Sequence, residues 1–186
     1  MAKSKMANAT LEGVRIAFRN FAGEERQYNR KGDRNFAVFL PEEVAQEMIK
    51  DGWNVKHLKP REDGDEPQAY LQVAVNFSGR PPRIVMISSR GRVNLGEEEV
   101  SILDWAQFQN VDLIIRPYEW EVSGKTGVKA YLQTIYATIE EDELDLKYAD
   151  VPEIEKAGGQ KAIAQGEIVD MGEIREQRAI DAPWGE

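Results

Sequence analysis

Cationic and aromatic side chains alternate along two adjacent segments, residues 111–122 and 128–139. They share one parity on each segment and are Arg116, Tyr118 and Trp120 on the first, and Lys129 and Tyr131 on the second. In an extended strand, residues of one parity lie on one face. Bases of single-stranded nucleic acid stack on such rings, while Arg and Lys hold the phosphates. The pattern predicts a surface for single-stranded nucleic acid, with core packing of the rings as the alternative.

Other cationic residues lie in segments that have few acidic neighbours. They are Arg30, Lys31 and Arg34 near Tyr28, Arg80 and Arg83 around two prolines, Arg90 and Arg92 around a glycine, and Lys125 in the predicted turn of residues 123–127. Guanidinium and ammonium groups bind phosphate oxygens. We therefore predict that these residues hold a nucleic-acid backbone. A solvated charged loop is the alternative for each segment.

The net charge of −9 argues at first against a nucleic-acid partner. Residues 1–139, however, hold 19 basic and 19 acidic residues, whereas residues 140–186 hold 5 basic and 14 acidic ones. All of the net negative charge therefore belongs to the last quarter of the chain, and the remainder has no net charge but contains local cationic segments. We expect residues 150–186 to form a flexible acidic tail that competes with phosphates for the cationic groove.

The residue types exclude or disfavour several kinds of catalysis. The chain has no cysteine and one histidine, His57, which excludes a thiolate zinc site, a cysteine nucleophile and a metal site with two histidines. Residues 124–126 resemble the end of a Walker A loop, but Glu119 occupies the position where that loop requires glycine. A metal-dependent nuclease would have to use the dispersed set Asp104, Asp112, Glu119, Glu121 and Lys125. We therefore expect no catalytic residue, metal or cofactor.

Short strands are the main elements that would position these side chains. Alternating apolar residues predict strands at residues 10–18, 34–40, 55–58, 70–77, 84–87, 111–122 and 128–139. Helices are predicted at residues 41–51 and within 95–108, where acidic residues occupy the first turns. Because regular βαβ alternation is missing, we predict a mainly β fold with short helices. A small, mostly antiparallel barrel or sandwich with a long β-hairpin fits this pattern.

Six segments of the sequence resemble phage single-stranded DNA-binding proteins of the T7-like, OB-fold kind. They are residues 19–23, 29–36, 51–56, 103–105, 111–120 and 129–132. The resemblance covers roughly residues 10–150. It implies an OB-fold barrel, binding of single-stranded DNA as a homodimer or a cooperative assembly, and a role in phage DNA replication and recombination.

The C-terminal residues Asp181, Pro183 and Trp184 resemble the acidic, aromatic tip of bacterial single-stranded DNA-binding proteins, which docks partner proteins. Here Trp replaces the Phe of that tip, and Gly185 and Glu186 follow the ring. The bacterial tip ends at its aromatic residue and uses the free carboxylate beside it. The resemblance implies that the tail recruits replication and recombination proteins.

The sequence thus predicts a flexible N-terminus at residues 1–9, a binding domain at residues 10–149 and an acidic tail at residues 150–186. The predicted function is non-catalytic, sequence-tolerant binding and protection of single-stranded DNA. The alternatives are a protein-interaction or virion accessory module, whose aromatic hairpin face would be a protein interface, and the nuclease. Neither a secretory signal nor an apolar stretch of about 18 residues is present. We therefore expect no membrane contact and a location in the cytoplasm of the host bacterium.

Overall fold

The computed structural model describes residues 5–152 and the backbone of residues 161–164 and 167–170. The chain divides into two units, Met1–Lys147 and Tyr148–Glu186. In the second unit, strands Lys161–Ala164 and Glu167–Asp170 form an antiparallel pair. The predicted docking residues Asp181, Pro183 and Trp184 lie outside the described residues, as do residues 1–4 and most of the predicted tail.

Nine strands and three short helices make up the first unit. The strands are β1 (Ala9–Leu11), β2 (Arg15–Asn20), β3 (Arg34–Leu40), β4 (Val55–Leu58), β5 (Gln68–Val75), β6 (Arg83–Ser88), β7 (Gly91–Asn94), β8 (Phe108–Val122) and β9 (Lys125–Ile139). The helices are α1 (Glu42–Lys50), a 3-10 helix (Val100–Asp104) and α2 (Glu143–Lys147). None of the helices in the described residues is long and apolar enough to span a membrane.

All nine strands belong to one sheet, whose main path runs β1-β8-β9-β5-β3-β2. Strand β4 adds to β5, and the β6–β7 pair adds to β9. Strand β9 runs parallel to β5 and β6, and the other pairings are antiparallel. The successive strands β1 and β2 form the two opposite ends of this path, which gives an OB-like arrangement although the sheet stays open. The predicted mainly β, OB-like fold with a long hairpin is confirmed.

One face of the curled sheet encloses the core. Strand β5 shows the alternation most clearly, because Leu71, Val73 and Val75 are buried while Gln72 and Asn76 are exposed. Helix α1 begins after Pro41, with Glu42 and Glu43 in its first turn, and buries Ala45 and Met48 against this core. The opposite, outward face of the sheet therefore keeps its side chains available for binding.

Three local predictions from the sequence differ from the structure. The predicted strand at residues 10–18 is interrupted at Gly13, whose φ of +62° takes the chain away from β8 and allows it to pair with β3. The predicted turn at residues 123–127 is only Ser123–Gly124, both left-handed, which is the geometry of a two-residue hairpin turn. The predicted helix within residues 95–108 is a single 3-10 turn, and Trp105 beside it is 82% exposed.

Candidate nucleic-acid interface

The β8–β9 hairpin places the predicted cationic and aromatic residues on one face. Arg116 lies opposite Tyr131, Tyr118 opposite Lys129, and Trp120 opposite Gly127. The alternate residues, including Leu113 and Ile115 on β8 and Ala130 and Leu132 on β9, point into the core. Five of the predicted site residues are therefore brought together by strand alternation alone.

Tyr131 is the centre of this face. The guanidinium carbon of Arg116 is 5.5 Å from its ring centroid, and the Lys129 Nζ is 5.2 Å from it. The ring of Tyr118 meets it edge-on, with centroids 5.8 Å apart and planes at 89°. Cation–π and edge-to-face contacts of this kind favour one ring orientation. The hairpin thus presents an oriented aromatic surface with two positive charges at its margin.

A groove of about 580 Å³ runs beside this surface, between the hairpin and the loop of residues 21–33. Its lining includes Tyr28, Lys56, Gln72, Trp120, Lys129 and Tyr131. A second depression of about 360 Å³ continues it past Arg80, Arg116 and Tyr118. The two depressions share Asn76 and Tyr131. Together they form a path with aromatic walls, polar floor residues and several cations.

Asn20 and Asp104 fix the loop that forms one wall of the groove. The Asn20 side chain is fully buried, accepts a hydrogen bond from the Glu24 N–H and donates to the carbonyl oxygens of Glu24 and Asp33. The Asp104 carboxylate accepts hydrogen bonds from the backbone N–H groups of Phe21 and Ala22, at 2.7 and 2.9 Å. Both ends of the loop are therefore held by side chains from ordered strands and helices.

Two arginines complete this support. Arg19 donates to the carbonyl oxygens of Leu103 and Ala106 and lies 5.0 Å from the Phe108 ring centroid. Burial lowers the pKa of Arg19, and the Asp104 carboxylate opposes this by favouring the charged form. The guanidinium therefore remains charged at neutral pH, and it ties β2 to the 3-10 helix.

Arg34, a predicted phosphate ligand, also has partners within the protein. Its Nε donates to the Phe21 carbonyl at 2.9 Å, and its Nη1 lies 2.8 Å from a Glu97 carboxylate oxygen. Its guanidinium also lies 5.2 Å from the Phe77 ring centroid. Arg34 lines the groove, so it positions the loop as well as contributing charge.

Three other predicted cations belong to the β6–β7 pair, which lies beside the later part of β9. Strand β6 pairs with β9 at residues 134–138, and Arg92 pairs with Ile87 at the end of that pairing. Along β9, Thr138 is about 23 Å from Tyr131 at a rise of about 3.3 Å per residue. Arg83 packs 5.7 Å from the Tyr136 ring, and the turn that carries Arg90 is bound through Ser89 to Glu141. Arg92 and the turn that carries Arg90 are therefore separated from the groove. Arg83 pairs with Thr134, three residues from Tyr131, but it is not among the residues that line the groove.

The remaining predicted cations have intermediate positions. Arg30 and Lys31 are exposed in the loop beside the groove, and Lys125 begins β9 at the tip of the hairpin. Sequence patterns alone missed the floor residues Gln72 and Asn76, although their parity on β5 is a usable signal. The roles of Asn20 and Asp104 carry no comparable signal, because their partners are backbone groups of a loop.

The acidic residues considered for a nuclease site have other roles or lie apart. Asp112 accepts hydrogen bonds from the Gly13 N–H and the Asn110 side chain, and Asp104 holds the loop. Glu119 and Glu121 are exposed on the hairpin. His57 contacts Glu42 at 3.3 Å on the exposed side of α1. Within residues 5–152 there is no group of three or more His, Asp or Glu residues able to hold a metal ion.

Comparisons with known proteins point to one family. A family model described as "putative phage ssDNA-binding domain" matches residues 1–180. The single-stranded DNA-binding protein from bacteriophage Enc34, solved in complex with ssDNA, has a similar structure with a TM-score of 0.50, at 11% identity over 73% of this chain and 88% of that one. For gp2.5, a single-stranded DNA-binding protein of bacteriophage T7, the TM-score is 0.34, at 14% identity over 85% and 98%. No curated protein sequence matches.

Proposed function

Since the chain belongs to the family of phage single-stranded DNA-binding domains, we propose that it binds single-stranded DNA in the groove between the β8–β9 hairpin and the loop of residues 21–33. The surroundings of Tyr131 are the observation that supports this site most directly. The ring is oriented by Tyr118 and flanked by Arg116 and Lys129, so a base stacked on it lies next to cations that can hold the adjoining phosphates. The family is one of DNA-binding domains rather than of enzymes.

Binding in this groove does not depend on base identity. The aromatic surface offers stacking, which every base can accept, and the cations beside it contact phosphates, which carry no sequence information. Affinity then comes largely from phosphate contacts and counterion release. We propose that the protein coats and protects single strands during phage DNA replication and recombination in the host cytoplasm.

The acidic tail has two proposed roles. Its 9 acidic residues against 4 basic ones give it the charge of a competing polyanion, so it occupies the cationic groove until a DNA strand displaces it. Displacement frees Asp181, Pro183 and Trp184 to recruit replication and recombination proteins. The first role follows from the charge of the segment, and the second from the resemblance of Asp181, Pro183 and Trp184 to the tip of bacterial single-stranded DNA-binding proteins.

A salt titration with labelled oligo-dT tests the proposed function. We expect fluorescence anisotropy to show tighter binding of oligo-dT than of a duplex of equal length, and a steep loss of affinity as salt increases. Equal affinity for the two forms, or an affinity independent of salt, would rule out the proposal. A stable protein partner without DNA affinity would instead favour the protein-interaction module.

A further inference from the structure

A second cation–aromatic cluster lies on the outward face of the same sheet, on β2 and β3. The ring of Phe18 meets that of Phe39 edge-on, with centroids 6.3 Å apart and planes at 85°. The guanidinium carbon of Arg15 is 5.8 Å from the Phe39 ring centroid. This arrangement repeats the one around Tyr131, with an edge-on aromatic pair and an adjacent cation. The predicted site contains none of these three residues.

Phe18 has an unusual backbone conformation that exposes its ring. Its φ is +49°, in the left-handed region that bulky residues rarely adopt, and it lies in the β-bulge between Ala17 and Asn20. Bulges redirect a side chain, and backbone strain of this kind is concentrated at functional sites. The ring is 64% exposed, so it contributes little to the core. Its conformation instead presents an aromatic surface to solvent.

The strand registers connect this cluster to the groove. One cross-strand row runs from Arg15 to Phe39, Tyr70 and Lys56, and Lys56 lines the groove. A second row contains Asn35, Ala74, Tyr131 and Arg116. The rows are four residues apart along β5, or about 13 Å at a rise of about 3.3 Å per residue.

The surface between the two rows carries no large ring on β3 or β5. Ala37 and Gln72 pair across it, where the Gln72 side chain is exposed and the small Ala37 side chain is covered by its neighbours. Both rows combine aromatic rings with at least one cation. A single DNA strand crossing the sheet from the hairpin towards β2 therefore meets stacking surfaces at both rows, with Ala37 and Gln72 between them.

We propose that Phe18, Phe39 and Arg15 form a second base-stacking subsite, occupied when the bound strand is long enough to extend past the Tyr131 cluster. The proposal rests on the proposed function of the groove. Phe18 offers its face to a base, Phe39 holds Phe18 edge-on, and Arg15 lies where the adjoining phosphate passes. The ligand is single-stranded DNA, and the subsite determines how many nucleotides one protein contacts.

The test compares short and long oligo-dT, of about 4 and about 16 nucleotides, which span the range of site sizes of OB folds. Phe18→Ala should weaken binding of the long oligonucleotide by about tenfold, which corresponds to about 1.4 kcal/mol, and leave the short one unchanged. Phe18→Trp should retain long-strand affinity. Phe18→Gly should also lose affinity for the long oligonucleotide. Its melting temperature should not fall, because glycine adopts the positive φ of this position without strain.

Trp105→Ala is the matched control, since it removes an exposed ring that lies beside the 3-10 helix. Unchanged long-strand affinity in both Phe18→Ala and Phe18→Gly, as in this control, would overturn the second subsite. The proposed function has a separate readout, because Tyr131→Ala should weaken both oligonucleotides. If Tyr131→Ala has no effect on either one, the groove assignment fails whatever the Phe18 variants show.

Discussion

The indole ring of Trp120 lies directly over Gly127, its cross-strand partner in the β8–β9 hairpin. A Cβ atom at position 127 would be 2.6 Å from Cζ2 of Trp120 and 2.9 Å from its Nε1, closer than non-bonded atoms approach. Gly127 does not have a positive φ, so glycine is needed here for space and not for an unusual backbone. The ring thereby lies flat against the hairpin and forms part of the groove wall.

Gly127→Ala should displace the Trp120 ring and weaken binding of oligo-dT severalfold. The ring is 39% exposed and can swing outward, so we expect the free energy of unfolding to change by less than about 1 kcal/mol. Anisotropy titration and chemical denaturation measure the two effects separately. Gly96→Ala is the control, because its Cβ would meet only the Glu99 carboxylate at an ordinary 3.5 Å. Equal DNA affinity in the two variants would contradict a role for the Trp120 ring.

Removing the ring at position 131 should have the largest effect of any single aromatic change in the groove. Base stacking contributes about 1–3 kcal/mol per base, so Tyr131→Ala should weaken oligo-dT binding by roughly 5- to 150-fold. Tyr131→Phe keeps the ring and should bind nearly as well as the original protein. Tyr136→Ala is the control, because Tyr136 is on the same strand and contacts Arg83 instead. A similar loss in both alanine variants would place the binding surface elsewhere.

Arg116 should contribute to the salt dependence of binding. Each phosphate contact adds about 0.7 to the slope of log K against log salt for single strands, so Arg116→Ala should reduce that slope by about this amount. The control is Arg92→Ala, in the separate β6–β7 pair, and it should leave the slope unchanged. Both variants are measured with an oligonucleotide of about 4 nucleotides, which is the smallest site size of one OB fold. A reduced slope in Arg92→Ala with an unchanged slope in Arg116→Ala would show that the phosphate contacts lie at the β6–β7 pair instead.

The sequence predicted the hairpin face because strand alternation is a local property. Arg116 and Tyr118 follow the parity opposite to the buried Leu113 and Ile115, and pairing with β9 then places Tyr131 beside them. Parity alone determines which side chains share a face. Both the mainly β fold and the centre of the candidate site could be derived in this way.

Long-range register could not be derived in the same way. Arg92 is twelve residues after Arg80, but β6 pairs with residues 134–138 of β9, and the pairing of Arg92 with Ile87 places it at the end away from the groove. Alternation within the predicted strand at residues 10–18 places Phe18 on the face of Val14 and Ile16, yet the bulge after Ala17 turns its ring outward. A bulge shifts parity by one residue, and the alternation of apolar residues does not reveal its position.

Asp104 should be important for stability, since it alone accepts the N–H groups of Phe21 and Ala22. Hydrogen bonds to a charged acceptor are the stronger kind, so Asp104→Ala should lower the free energy of unfolding by about 2–4 kcal/mol. Asp104→Asn keeps one acceptor oxygen, so it should lower the free energy of unfolding by about half as much as Asp104→Ala. Denaturant unfolding measures both, with Glu25→Ala as a control in the same loop. A loss no larger than that of the control would show that other groups hold the loop.

Removal of residues 150–186 should tighten binding of oligo-dT. The segment carries most of the negative charge of residues 140–186, so deleting it removes a tethered competitor for the cations around Tyr131. The gain should be roughly tenfold at about 0.05 M salt and should disappear near 1 M, where the Debye length is about 3 Å. A full-length variant with the acids of residues 150–186 changed to their amides separates charge from chain length. It should match the deletion, because competition depends on charge. If it binds like the unmodified protein while the deletion binds more tightly, the tail acts by occupying space rather than by mimicking DNA.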